Sequence, residues 1–152
     1  MVPGSRVSSL AGDLHAALIA ARKSQDKDRT QLLGTVLAAL KNRELEQHRL
    51  PTDEDVLDVL QKGVKMRREA AEQYVAGGRE DLADRERQEI GVIEEFLPPA
   101  ADPEEIRAAV RAAIAGGAGN IGKVMGAVVP QFKGRADGKV IQEIVRKELS
   151  QG

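Results

Sequence analysis

The sequence predicts an all-α protein, an N-terminal multi-helix domain followed by a small three-helix tail domain, and three observations predict it. Apolar residues recur at steps of three and four, the spacing of one helix face, as at Leu10, Leu14 and Leu18, with no period-two alternation there. Hydrophobic residues make up 41% of the 152-residue chain, yet it holds only two Phe, one Tyr and no Trp. The core is therefore packed from Leu, Ile, Val and Ala, which suits helices on helices. Glycines, prolines and capping residues punctuate the pattern at regular points, and a chain of this length buries roughly 70% of its unfolded surface, enough for a real core.

The first helix carries Val7, Leu10, Leu14 and Leu18 on one face and ends near Lys23. A polar turn over 24–27 follows, after which Asp28 is placed to cap a second helix with the stripe Leu32, Leu33, Val36, Leu37 and Leu40. These two helices are expected to form a hairpin. The second runs into a charged tail over 41–49, and Pro51 biases Leu50 out of the helical region. Thr52 opens a third helix, with Asp53, Glu54, Asp55 and Asp58 complementing the positive end of its dipole and Val56, Leu57, Leu60 and Val64 turned inward. Gly77 and Gly78 stop it.

A fourth helix is expected over 79–97, charged at first and apolar at Ile90, Ile93, Phe96 and Leu97. Pro98 and Pro99 end it, because neither offers an N–H and each restricts its predecessor. The chain divides there into domains 1–97 and 98–152. Asp102 as cap, Pro103 at the first helical position and Glu104 and Glu105 in the first turn start a fifth helix that ends at Gly116. After a loop over 116–120, a short segment with Ile121, Val124, Met125, Val128 and Val129 ends near Pro130. A turn over 133–138 follows, and Asp137 caps a last helix bearing Val140, Ile141, Ile144, Val145 and Leu149.

Composition removes several function classes. No cysteine is present, which excludes disulfides, thiolate nucleophiles and zinc sites that need sulfur, and fits a reducing cytoplasm. The first ten residues lack an apolar run of signal-peptide length, and no stretch approaches ~18 uninterrupted apolar residues, so neither secretion nor membrane spanning is expected. The net charge is −1, but it is unevenly spread. Residues 1–97 hold 15 Lys and Arg against 18 Asp and Glu, whereas 98–152 hold 8 against 6.

Candidate chemistry is sparse. Gly117, four residues, Gly122 and Lys123 match the first part of a phosphate-binding loop, but Val124 stands where a Ser or Thr would ligate magnesium and a helix precedes it rather than a strand. It reads as an interhelix loop. His15 and His48 lie on different helices with no metal-ligand spacing, so no metal site is expected. Serines 5, 8, 9, 24 and 150 sit near termini or turns, where they cap. Carboxylates of the third and fourth helices alternate with Lys62, Lys65, Arg67, Arg68, Arg85 and Arg87, as on solvated faces. No catalytic residue and no cofactor are assigned. What is left is basic: Lys123, Lys133, Arg135 and Lys139 surround turns whose backbone N–H groups are expected to be exposed, a set suited to phosphates of a folded RNA.

Gly122-Lys123-Val124-Met125-Gly126 and Lys133-Gly134-Arg135-Ala136-Asp137-Gly138, followed by an amphipathic helix, resemble the tail motif of the GatB/YqeY family. Asp13-Leu14, Ala39-Leu40-Lys41, the stretch 57–65 with Arg67-Arg68-Glu69, Gly78-Arg79-Glu80-Asp81-Leu82-Ala83, Glu86, Glu89 and Glu94-Glu95-Phe96-Leu97-Pro98 resemble stand-alone YqeY proteins, so the likeness covers nearly the whole chain. It implies a helical domain and a tail similar to the end of the GatB subunit of the glutamine-dependent amidotransferase acting on Glu-tRNA or Asp-tRNA. There these parts lie against tRNA and the chemistry sits in a separate cradle domain, for which this chain has no room. The family label, carbon-nitrogen ligase with glutamine as amido-N-donor, is thereby inherited without its ammonia source, ATP activation or magnesium site. The resulting expectation is a cytoplasmic, non-catalytic tRNA-binding or amidotransferase-associated accessory protein, with tRNA or a tRNA-processing enzyme subunit as partner. The alternative is a protein-protein adaptor without RNA binding.

Overall fold

The computed structural model describes residues 8–151, so Val7 and Ser5 lie outside the described residues. The described residues are all-α, with seven α-helices, one 3₁₀ turn and no strand, and they fall into two compact units divided between Leu97 and Pro98. Among them no helix is long and apolar enough to cross a membrane.

The first unit holds α1 (Ser9–Lys23), α2 (Lys27–Gln47), α3 (Asp53–Ala76) and α4 (Glu80–Glu94). α1 packs on α2 and α3, α2 on α3, and α3 runs along α4. Leu14, Leu33, Val56, Leu60 and Ile93 are fully enclosed at the centre. Each such side chain stabilises the unit by about 1.5–3 kcal/mol relative to exposure. The unit's start is tied down by Ser8, which accepts from the Ala11 N–H at 3.0 Å and donates to the Asp53 carboxylate; Asp53 also accepts from the Leu10 N–H at 3.2 Å. These two bonds, the Ser8 hydroxyl first, hold the Asp53 carboxyl below its ordinary value.

Two boundaries differ from the expectation. Asp26, not Asp28, caps α2, accepting from the Arg29 N–H at 3.1 Å, while Asp28 lies in the first turn. The cause is how α1 ends. Gln25 takes φ 60°, its N–H reaches the Arg22 carbonyl, and the Asp26 N–H reaches the Ala21 carbonyl, a Schellman closure that leaves Asp26 extended and ready to cap. α4 ends at Glu94, three residues short of Leu97. The Glu95, Phe96 and Leu97 N–H groups bond to Val92, Ile93 and Glu94 carbonyls, three residues back, so the last turn tightens ahead of Pro98.

The second unit holds α5 (Pro103–Ala115), α6 (Ile121–Val128), a 3₁₀ turn (Val129–Phe132) and α7 (Gly138–Gln151). Asp102 and Glu105 form a capping box at α5, and Pro103 occupies the first helical position. Ile106, Val110, Val124, Val128, Ile141 and Val145 fill a separate core that Phe132 closes. Ile121 and Val140, expected on apolar faces, are instead 37% and 45% exposed. Val140 stands off the inward line set by Ile141, Ile144 and Val145, since one residue along a helix turns the side chain by about 100°. Ile121 shares the line of Val124 and Val128, three and seven residues on, but is the first residue of α6.

Candidate nucleic-acid interface

The turn between the 3₁₀ segment and α7 is fastened on several sides. The carbonyl of buried Phe132 accepts from the Arg135 N–H at 2.8 Å and the Ala136 N–H at 3.1 Å, while Gly134 takes φ 79°, which only glycine adopts freely. The Arg135 carbonyl accepts from the Ala101 N–H at 2.8 Å. The Arg135 guanidinium donates to the Pro99 carbonyl at 3.2 Å and to both Glu105 oxygens at 3.1 Å, and lies 5.8 Å from the Phe132 ring centre. Arg135 thus binds the turn to the residues leading into α5, with Nε on Pro99, one Nη on Glu105 and the plane near Phe132, a multi-point span that lysine would not reproduce.

The four cations expected to contact RNA occupy different positions. Lys123 lies in the first turn of α6, exposed, and Lys139 in the first turn of α7, also exposed; neither has an ion-pair partner among the described residues. Lys133 is half-buried on the turn. Arg135 is committed to Glu105 and Pro99. The structure gathers Lys133, Arg135 and Lys139 around one turn, whereas Lys123 is separated from it along the chain by the remaining five residues of α6, about 7.5 Å of helix, and the 3₁₀ turn. Several of the backbone N–H groups at these turns are taken: Lys123 N–H goes to the Asn120 side chain at 2.9 Å, Lys139 N–H to the Asp137 carboxylate at 3.0 Å, and Arg135 and Ala136 to Phe132.

At the start of α3 charges face one another. Asp55, expected with the solvated carboxylates, is buried at 3% exposure. It accepts from the Thr52 N–H at 2.9 Å, Gln47 at 3.1 Å and Arg49 at 2.9 Å, and pairs with Arg43 at 3.2 Å. Burial works against its charge, but the Thr52 N–H and the Gln47, Thr52 and Arg49 side chains outweigh it and hold the carboxyl well below the aspartate range. Arg43 also pairs with Asp58, which takes Lys62 at 3.2 Å. The capping-box spacing of Thr52 and Asp55 signals the Thr52 contact locally, but Arg43, Gln47 and Arg49 come from the end of α2 and the loop after it. His15 and His48 are both exposed, and among the described residues no three His, Asp or Glu side chains gather as a metal ion requires. The loop resembling a phosphate-binding motif closes α5, with Gly117 at φ 108°, and then caps α6 through Asn120.

A family model described as Yqey-like protein matches residues 11–149. An uncharacterized protein of Schizosaccharomyces pombe is 33% identical over 94 residues, 62% of this chain and 76% of that protein. Altered inheritance of mitochondria protein 41, mitochondrial, of Kluyveromyces lactis is 33% identical over 107 residues, 68% of this chain and 56% of its own length. The protein of the same name in Pyrenophora tritici-repentis is 29% identical over 143 residues, 91% of this chain and 77% of its own. The chain thus spans little more than half of the Kluyveromyces protein.

Proposed function

The chain belongs to the YqeY-like family, and from that premise we propose that it is a non-catalytic accessory protein that binds tRNA, or a tRNA amidotransferase at work on it, through its second unit. Supporting this is the charge balance of the second unit and the cations it leaves unpaired: residues 98–152 hold 8 Lys and Arg against 6 Asp and Glu, where 1–97 hold 15 against 18. In the first unit Arg29, Lys41, Arg43, Arg49, Lys62, Arg67, Arg79 and Arg87 are in ion pairs, while Arg22, Lys23, Lys27, Lys65, Arg68 and Arg85 are exposed amid an excess of carboxylates. In the second, Lys123, Lys139, Arg146 and Lys147 are exposed and have no ion-pair partner among the described residues. Unspent cations are what a phosphate backbone neutralises.

In this reading Lys123, Lys133 and Lys139 contact phosphates, and Arg135 positions the turn that carries two of them. The carbon-nitrogen ligase chemistry of the family label is left to a partner subunit. A cytoplasmic location belongs to the same proposal, although two of the relatives are named as mitochondrial proteins. The test is tRNA affinity measured against salt for wild type and for Lys123→Ala/Lys133→Ala/Lys139→Ala. The expected result is weaker binding with a salt slope lower by about 2–3. Unchanged affinity and slope would remove these residues from the interface.

An adaptor role is the second reading, favoured by Leu45, Leu50 and Met66, which are 60%, 55% and 67% exposed on the first unit. Association with a protein partner that survives RNase treatment would support it over the first.

A further inference from the structure

α5 and α7 pack together and leave a groove of about 310 Å³, lined by Arg107, Arg111, Ile144, Lys147, Glu148 and Gln151. Arg107 and Arg111 are one helical turn apart on α5, and Lys147 faces them from α7. Three cations therefore surround a single carboxylate. Glu148, whose side chain is 12% exposed, accepts from Arg111 at 3.1 and 3.3 Å, and Arg107 has its own partner, Glu104, which is 71% exposed outside the groove.

The groove is continuous with the proposed RNA surface. Lys139, Glu143, Arg146 and Lys147 follow one another at i, i+4, i+7 and i+8 along α7, and all four are exposed. Lys147 is thus about 12 Å along the same helix face from Lys139. Over that length one duplex strand, at about 3.4 Å per phosphate, presents three or four charges.

We infer that this groove is a second phosphate-binding site, that it takes the sugar-phosphate backbone of the same folded RNA, and that Arg107, Arg111 and Lys147 hold it. The inference rests on the RNA-binding reading and extends it to a groove whose arginines, Arg107 and Arg111, that reading does not use. A repeating polyanion matches cations strung along a helix. A lipid surface matches poorly, because insertion needs an apolar face beside the basic one, and the groove's one large apolar side chain, Ile144, is 9% exposed on its floor.

The experiment compares full-length wild type, Arg107→Gln/Lys147→Gln and Glu148→Gln for binding to bulk deacylated tRNA over a salt series, and to phosphatidylserine vesicles. The glutamine pair is expected to bind tRNA roughly tenfold more weakly, with the salt slope reduced by about 2. Glu148→Gln releases Arg111 and is expected to tighten binding a few-fold, a gain that a folding defect does not produce. If the lysine triple variant loses affinity while the glutamine pair and Glu148→Gln match wild type, the groove is not a phosphate site and the RNA reading stands. If wild type binds no tRNA, or binds only the vesicles, both are overturned.

Discussion

The two units place their paired charges at different depths, the first around the buried Asp55 and the second at more exposed joints. At the start of α3 the first unit turns Arg43, Arg49 and Gln47 inward on Asp55, and along α4 it sets Arg67 against Glu89 and Arg87 against Asp84. The second unit spends arginines at its own joints, Arg135 on Glu105 and Arg111 on Glu148, and leaves Lys123, Lys139 and Lys147 exposed. What a charged surface offers a partner thus depends both on the local balance of charge and on which charges already have partners. Exposed pairs contribute little to stability, with a median near 0–1 kcal/mol. They still withdraw a cation from the pool available for binding.

The comparison holds only if each unit stands on its own core, and core truncation is the strongest way to break it. Leu33→Ala in the first unit and Ile106→Ala in the second each remove a side chain that is 1% exposed. Each is expected to cost about 2–5 kcal/mol. Peptide-resolved hydrogen exchange should show α1 to α4 losing protection in the first variant and α5 to α7 in the second. Loss spread over both units in either variant would mean that the contrast describes one cooperative body.

A smaller effect separates buried from exposed pairing. Asp55→Asn keeps the shape but removes the charge that Arg43 and Arg49 share. Because these arginines are 32% and 53% exposed, water solvates them in the variant, and the cost is expected near 2 kcal/mol, below that of a fully buried pair. The pH dependence has a definite sign. A carboxyl whose folded pKa lies below its unfolded value of about 3.9 contributes its full stability above that pH and loses it as the pH falls further. Wild type should weaken steadily below about pH 4, with protection lost first around the start of α3, and Asp55→Asn should show a shallower acid limb. Identical acid limbs would assign the acid sensitivity elsewhere.

The helices were legible because their stripes and end signals agree. Thr52, Gly77 with Gly78, Asp102 with Pro103, and Gly116 each mark a boundary by local chemistry. Asp26 was misread for Asp28 because the closure that makes it the cap uses a glutamine where a glycine is the usual signal. The exposure of Val140 depends on a rotation that apolar character alone does not specify, and Ile121 stands at the first position of α6. At the candidate site the basic excess was visible in the sequence, but the fastening of Arg135 was not, since Glu105 lies thirty residues away. The groove of Arg107, Arg111 and Lys147 was missed for the same reason: only the packing of α5 on α7 brings its sides together.

The smallest effect concerns that glutamine, and it compares the units through a motif they share. α1, α3 and α5 all end in a Schellman closure, with Gln25 at φ 60°, Gly78 at φ 75° and Gly117 at φ 108° in the left-handed position. A side chain there costs roughly 1–2 kcal/mol, and glycine returns part of the difference as entropy lost on folding, roughly 0.5–1 kcal/mol. Gln25→Gly is therefore expected to stabilise the first unit by about 0.5 kcal/mol and raise Tm by one to a few degrees. Gly78→Ala and Gly117→Ala are the converse. A Cβ at either position meets nothing within 4 Å, so their expected loss of about 1 kcal/mol comes from backbone conformation alone. Thermal melts of the three variants decide the point. A gain at Gln25 with equal losses at Gly78 and Gly117 would place the helix ends under one rule in both units, leaving the contrast between them to side-chain charge. No gain at Gln25 would show that its side chain contributes something the backbone argument omits.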